Sequence, residues 1–253
     1  MSQAEPRFHV YSSDKELDLR RRFVEDFKKC PIPDGEMLAN LGLFLNRQTL
    51  SRILYVHDLY RRIIDVPGVV MEFGVRWGQN LALFSSFRGM YEPFNFNRKI
   101  VGFDTFSGFP AVRPEDGQAA LAKAGGYDVT AGYEGYLRRV LDYHQAASPL
   151  SHIPGKYELC VGDACVTLPK YLADHPETVV AMAYFDFDLY EPTKACLEAI
   201  RERVVRGSVL AFDELNAKEW PGETRAVMEV LGLNRQRLRR SPHVPTGAYV
   251  VVE

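Results

Sequence analysis

The sequence predicts an α/β fold, an open and mostly parallel sheet with helices on both faces. Three observations carry that expectation. Short apolar runs alternate with amphipathic stretches from residue 66 to the end, as repeated strand–helix units do. The runs are nearly continuous hydrophobics, the signature of strands buried on both faces. Acidic or glycine residues then follow the runs directly, where open sheets of this kind bind their ligands.

In chain order, Leu17, Leu19, Phe23, Val24 and Phe27 form one apolar face of a helix over 14–30. Pro31-Ile32-Pro33-Asp34-Gly35 breaks it. Leu50, Ile53, Leu54, Val56, Leu59, Tyr60 and Ile63 repeat at helical spacing and predict a second helix over 47–64. Residues 1–65 are therefore read as a helical cap, whose apolar faces suit packing against another copy of the chain. Residues 66–253 are expected to form the domain that holds the sheet and any catalytic site at its strand ends. Its expected strands are Val69–Phe73, Ile100–Phe103, Tyr157–Val161, 179–186, Val209–Phe212 and Ala248–Val252. Helices are expected over 78–91, 133–147, 165–174, 192–204 and 222–231. The insert of about 108–150, rich in Gly and Tyr, is a candidate lid.

A chain of 253 residues can bury a full core in one such sheet. A net charge of -2 gives no electrostatic case for nucleic acid or anionic membrane as a partner. The basic run Arg235–Arg240 is read as solvated surface. No apolar window approaches the ~18 residues of a membrane span, and residues 1–6 lack the apolar core of a secretion signal. Cys30, Cys160, Cys165 and Cys196 have no zinc-like or Cys-x-x-Cys spacing. A cytoplasmic protein with reduced thiols is expected.

The strand ends hold the chemistry. Val179–Ala183 runs into Tyr184-Phe185-Asp186-Phe187-Asp188. With a side-chain period of two, Asp186 and Asp188 project to the same side. Such a pair needs a cation or a shared proton. The next strand ends in Asp213-Glu214, so carboxylates from two neighbouring strand ends converge. Hard oxygen ligands without histidine suit Mg²⁺, with Mn²⁺ or Ca²⁺ in its place. After the first strand, Glu72-Phe73-Gly74-Val75-Arg76-Trp77-Gly78 offers close backbone approach to a ligand, and Glu72 is an acid inside an apolar strand end. After the second, Asp104 suits either ribose hydroxyls or a turn. After the third, Asp163 either lies beside an adenine edge or caps the next helix.

The ordered set Val66-Pro67-Gly68, Glu72-x-Gly74-Val75…Gly78, Phe103-Asp104-Thr105-Phe106-x-Gly108-Phe109-Pro110, Asp186-x-Asp188-x-Tyr190-x-x-Thr193 and Phe212-Asp213-Glu214…Pro221-Gly222 resembles the macrocin O-methyltransferase (TylF-type) family. The likeness spans about residues 38–253. It implies a class I methyltransferase sheet, Rossmann-like, and Mg²⁺-dependent methyl transfer from S-adenosylmethionine to a sugar hydroxyl of a natural-product glycoside. Carried over, Glu72, Gly74 and Asp104, with Val75, Gly78, Ser107 and Asp163, fall on cofactor-binding positions. Asp186, Asp213 and Glu214 fall on metal-ligand positions, and Asp188 on the general base. The family has Asp-Asp where this chain has Asp213-Glu214. A metal-dependent catechol or vicinal-diol methyltransferase shares the same carboxylate logic. A non-catalytic cofactor-binding protein should have lost at least one acid of the set. A nicotinamide enzyme would need a Gly-x-Gly turn, which is missing from this sequence.

Overall fold

The structure, a computed structural model, describes residues 12–253. The polar residues 1–6, read above as carrying no secretion signal, lie outside the described residues. Two compact units are present, one ending at Ser51 and the other running Arg52–Glu253. The division falls inside the stretch expected as cap.

In the first unit α1 spans Asp14–Lys28. Ser13 and Glu16 form a capping box at its start, each side chain accepting from the other's backbone N–H. α2 (Asp34–Met37) and a 3₁₀ turn (Leu38–Phe44) follow the proline break. The Phe44 ring meets Phe27 edge-on at 4.8 Å. α3 (Arg47–Arg61) begins here, with the Asn46 carboxamide accepting from Thr49 N–H.

In the second unit the later turns of α3 bury Tyr55, Val56, Leu59 and Tyr60. Next come β1 (Val69–Phe73), α4 (Gln79–Tyr91), β2 (Ile100–Asp104), α5 (Tyr133–Ala147) and β3 (Tyr157–Val161). They are followed by α6 (Ala164–Asp174), β4 (Val180–Phe185), α7 (Tyr190–Ile200), β5 (Val204–Phe212), α8 (Pro221–Val230), β6 (Arg239–Arg240) and β7 (Ala248–Val251). The strands form one sheet in the order β3-β2-β1-β4-β5-β7-β6. β1 through β5 pair in parallel, while β7 runs antiparallel to β5 and β6. A separate apolar core covers each face, so β1 and β4 are buried along their whole length.

Three boundaries differ from expectation. β4 ends at Phe185, so Asp186 and Asp188 stand in the turn beyond it. Asp188 adopts φ 60°, so the strand period does not place it relative to Asp186 as the alternation predicts. β5 begins at Val204, not Val209, because its first residues, interrupted by Arg206 and Gly207, still pair across a bulge with β4. Two residues of the basic run form the exposed edge strand β6. No helix among the described residues is long and apolar enough to cross a membrane.

Candidate active site

The sheet order reverses between β1 and β4, and the carboxyl ends of β1, β2, β4 and β5 meet there. Backbone bonds continue past the strands and fix the acids to one another. Asp186 N–H donates to Phe73 O (2.8 Å), and Asp213 N–H donates to Phe185 O (3.1 Å). Gly74 has φ 92°, and a Cβ there would lie 2.1 Å from the Asp186 carbonyl oxygen. Only glycine therefore lets the β1 turn rest against Asp186. Gly78, at φ 75°, opens α4 in the same way, with the Leu137 side chain where a Cβ would be.

Glu72 is 1% exposed. Burial pushes its carboxyl well above the usual carboxylate range, opposed by a hydrogen bond from Asn80. Its Oε2 and the Oδ1 of Asn80 are buried acceptors with no hydrogen-bond partner among the described residues. Two orphaned acceptors together fit a ligand rich in N–H donors, such as the ammonium group of an amino acid. Asp104 joins two strand-end turns: one oxygen accepts from Arg76 N–H (2.7 Å) and the other from Phe106 N–H (2.6 Å). Val75 is buried against Gly102, and Ser107 is exposed. Asp163 caps α6, accepting from Cys165 N–H at 2.9 Å, the second of the two readings given for it.

At the ends of β4 and β5, Asp186 and Asp213 turn toward one point. The guanidinium of Arg52 occupies it, one arm bonded to Asp186 Oδ2 and the other to Asp213 Oδ2 at 3.2 Å. Tyr184 O–H donates to the second oxygen of Asp213 (2.7 Å). Burial, then the charge of Asp213, pushes Asp186 up to about 7 against the pull of Arg52. Burial with the charges of Asp213 and Asp186 pushes Glu214 up to about 8. Asp188 is 8% exposed and raised well above the carboxylate range by burial, then by Asp186, Glu214 and Asp213. Two oxygen-rich side chains converging on a cation fit a hard divalent ion. Glu214 is close enough to feel their charge, yet no group of three or more metal-binding side chains is gathered among the described residues.

Several residues here escaped sequence reading. Arg52 lay on a helix read only for its apolar face. Glu223, fully buried, accepts from Glu214 N–H (3.0 Å); its place two residues after Pro221 gave no sign of this. Gly222 leaves no room for a Cβ against Asp116, Tyr190 N and the Asp188 carbonyl, which explains a glycine after that proline. From the insert, Asp116 is 1% exposed and accepts from Tyr190 N–H (2.6 Å) at the start of α7. Tyr127 lies under the Arg76 guanidinium (4.9 Å) and beside Trp220 (5.8 Å). Tyr136 of the insert is exposed, and His243 is held by Asp58 (3.2 Å).

A seven-stranded sheet in this order, with an antiparallel final strand and an acid-lined switch point, defines a class I, Rossmann-like methyltransferase. No protein-family model and no curated protein matches the chain. Among solved structures, it is 46% identical to the calicheamicin methyltransferase CalS11, covering 99% of this chain and 98% of that one, with a TM-score of 0.93. The apo structure of CalS11, described as a TDP-rhamnose 3'-O-methyltransferase, matches at 44% identity over 96% of both chains, TM-score 0.84. The O-methyltransferase NovP shares the fold at 22% identity over 80% of both chains, TM-score 0.61. The chain belongs to the sugar O-methyltransferase family that includes CalS11, and is an S-adenosylmethionine-dependent O-methyltransferase.

Proposed function

We propose that the chain methylates a hydroxyl of a sugar destined for, or already part of, a glycosylated natural product. A divalent cation, Mg²⁺ first, is held by Asp186 and Asp213 with Glu214 beside them, and Asp188 is the general base. The observation that carries the cation and base is the convergence of Asp186 and Asp213 on one positive charge beside buried Asp188. The likeness to a TDP-rhamnose enzyme supports the sugar, and makes a nucleotide-linked deoxysugar the first acceptor to test.

When bound, S-adenosylmethionine supplies an electrophilic methyl group and the cation supplies a Lewis acid that lowers the pKa of a hydroxyl. The chain supplies placement and proton transfer. Glu72 and Asn80 present acceptors to the amino end of the cofactor, Asp104 to its ribose, and the glycine turn of Gly74 and Gly78 admits its backbone contact. Asp188 takes the hydroxyl proton. Burial, with the charges of its acidic neighbours, holds its carboxyl up, so it is a stronger base than an exposed aspartate. Tyr127 and Trp220 wall the site on the insert side, in keeping with a lid over 108–150. Free thiols support a cytoplasmic location, and the exposed Leu19, Val24 and Phe27 of α1 support a homo-oligomer.

Assay of the chain with S-adenosylmethionine and Mg²⁺ should give a methylated TDP-deoxysugar and leave catechol unmodified. Asp188→Asn should lower methyl transfer about 10²–10⁴-fold while cofactor affinity, read by calorimetry, stays near wild type. An active Asp188→Asn enzyme removes the base assignment. Activity that survives complete chelation of divalent ions removes the cation.

A further inference from the structure

Arg52 stands where the proposed cation would. Its guanidinium spans Asp186 and Asp213, one N–H arm on an oxygen of each. Asp213 is turned so that its other oxygen is taken by Tyr184, which leaves Oδ2 as the oxygen facing Arg52. A guanidinium and a metal ion cannot both sit between these two oxygens, because two cations at one point repel and compete for the lone pairs that face it. Arginine stays protonated at any working pH, so it can release the carboxylates only by moving.

The structure contrasts Arg52 with an arginine built to stay. Arg98 is 1% exposed, and its guanidinium is tied to the carbonyls of Ile63, Val66 and Gly68 as well as to Glu92. Arg52 keeps 34% side-chain exposure, and among the described residues its side chain bonds only Asp186 and Asp213. A long side chain with an open flank can swing to water without disturbing the helix that carries it.

We propose that Arg52 is a displaceable internal counter-ion that neutralises Asp186 and Asp213 in the metal-free enzyme and is expelled when the divalent cation binds. This rests on the cation reading of those aspartates given above. Metal affinity is then set by a competition within the chain. If Arg52 occupies the carboxylates about nine-tenths of the time, the apparent affinity is about ten-fold below the intrinsic one.

Mn²⁺ binding to the full chain, followed by electron paramagnetic resonance of the free ion, tests this. Arg52→Met should bind Mn²⁺ about ten-fold more tightly than wild type, with Arg52→Lys in between. Mn²⁺ should also raise the melting temperature of Arg52→Met more than that of wild type. Asp186→Asn should abolish binding in both backgrounds. Equal or weaker binding by Arg52→Met would overturn the competition and leave the metal reading intact. Failure of wild type and all Arg52 variants to bind Mn²⁺ would remove the metal reading, and this inference with it. Should Arg52→Met not fold, the Arg52→Lys and Arg52→Gln comparison carries the same test.

Discussion

Glu72 sits in a strand whose every residue is buried, and burial holds its carboxyl well above the ordinary range. Keeping a charge there costs the folded chain free energy, and replacing it with the neutral isostere removes that cost. Glu72→Gln should therefore leave the melting temperature unchanged or raised. The same change weakens acceptance from a cationic donor, by about 1.5–3 kcal/mol where the partner is charged, or roughly ten- to hundred-fold in S-adenosylmethionine affinity. Calorimetry and thermal melting together check it. A loss of stability with unchanged affinity would return Glu72 to a purely structural role.

Among the elements, one buried side chain of the insert ties it to the start of α7. Asp116 accepts from Arg113 N–H (2.7 Å) inside the insert and from Tyr190 N–H (2.6 Å) at the first turn of α7. Asp116→Ala leaves those donors unpaired at a cost of about 1–3 kcal/mol. Limited proteolysis should then cut within 108–150 faster than in wild type, with the sheet still folded. The strands β1 to β4 were legible because apolar runs and their acidic ends are local features. The start of β5 was not, because Arg206 and Gly207 interrupt its run and only the pairing with β4 extends it. Arg52, Glu223 and Asp116 were illegible for another reason. Arg52 and Asp116 act on partners far along the chain, at Asp186 and Tyr190, and Glu223 reaches back across a turn to Glu214; local spacing carries no record of these contacts. Asp186 and Asp213 do converge at the strand ends, but on Arg52, a cation the sequence did not reveal.

For the whole molecule, the clustered acids tie stability to pH. Asp186 and Glu214 are raised to about 7 and about 8 in the folded chain, above the unfolded carboxyl range of about 4. Between those values the folded chain holds protons that the unfolded chain has lost, so stability falls as pH rises through 7 and 8. Without divalent ions, the melting temperature should drop between pH 6 and 9. Saturating Mg²⁺ should flatten that drop, because it favours the ionised carboxylates of the folded state alone. A pH-independent melting temperature in chelator would contradict the raised carboxyls of this cluster.

The contact between Gly74 and the carbonyl of Asp186 has a consequence for how such an enzyme can diversify. The turn proposed to meet the cofactor and the aspartate proposed to meet the cation are joined main chain to main chain, with Asp186 N–H bonded to Phe73 O as well. The span a methyl group must cross is thus written into the sheet's own register, out of reach of ordinary side-chain replacement. Drift in the insert or the helices can recast which acceptor is admitted while the reach of the transfer stays fixed. Gly74 is the exception: a Cβ there would press on the Asp186 carbonyl and pry the proposed cofactor turn and the proposed cation ligand apart.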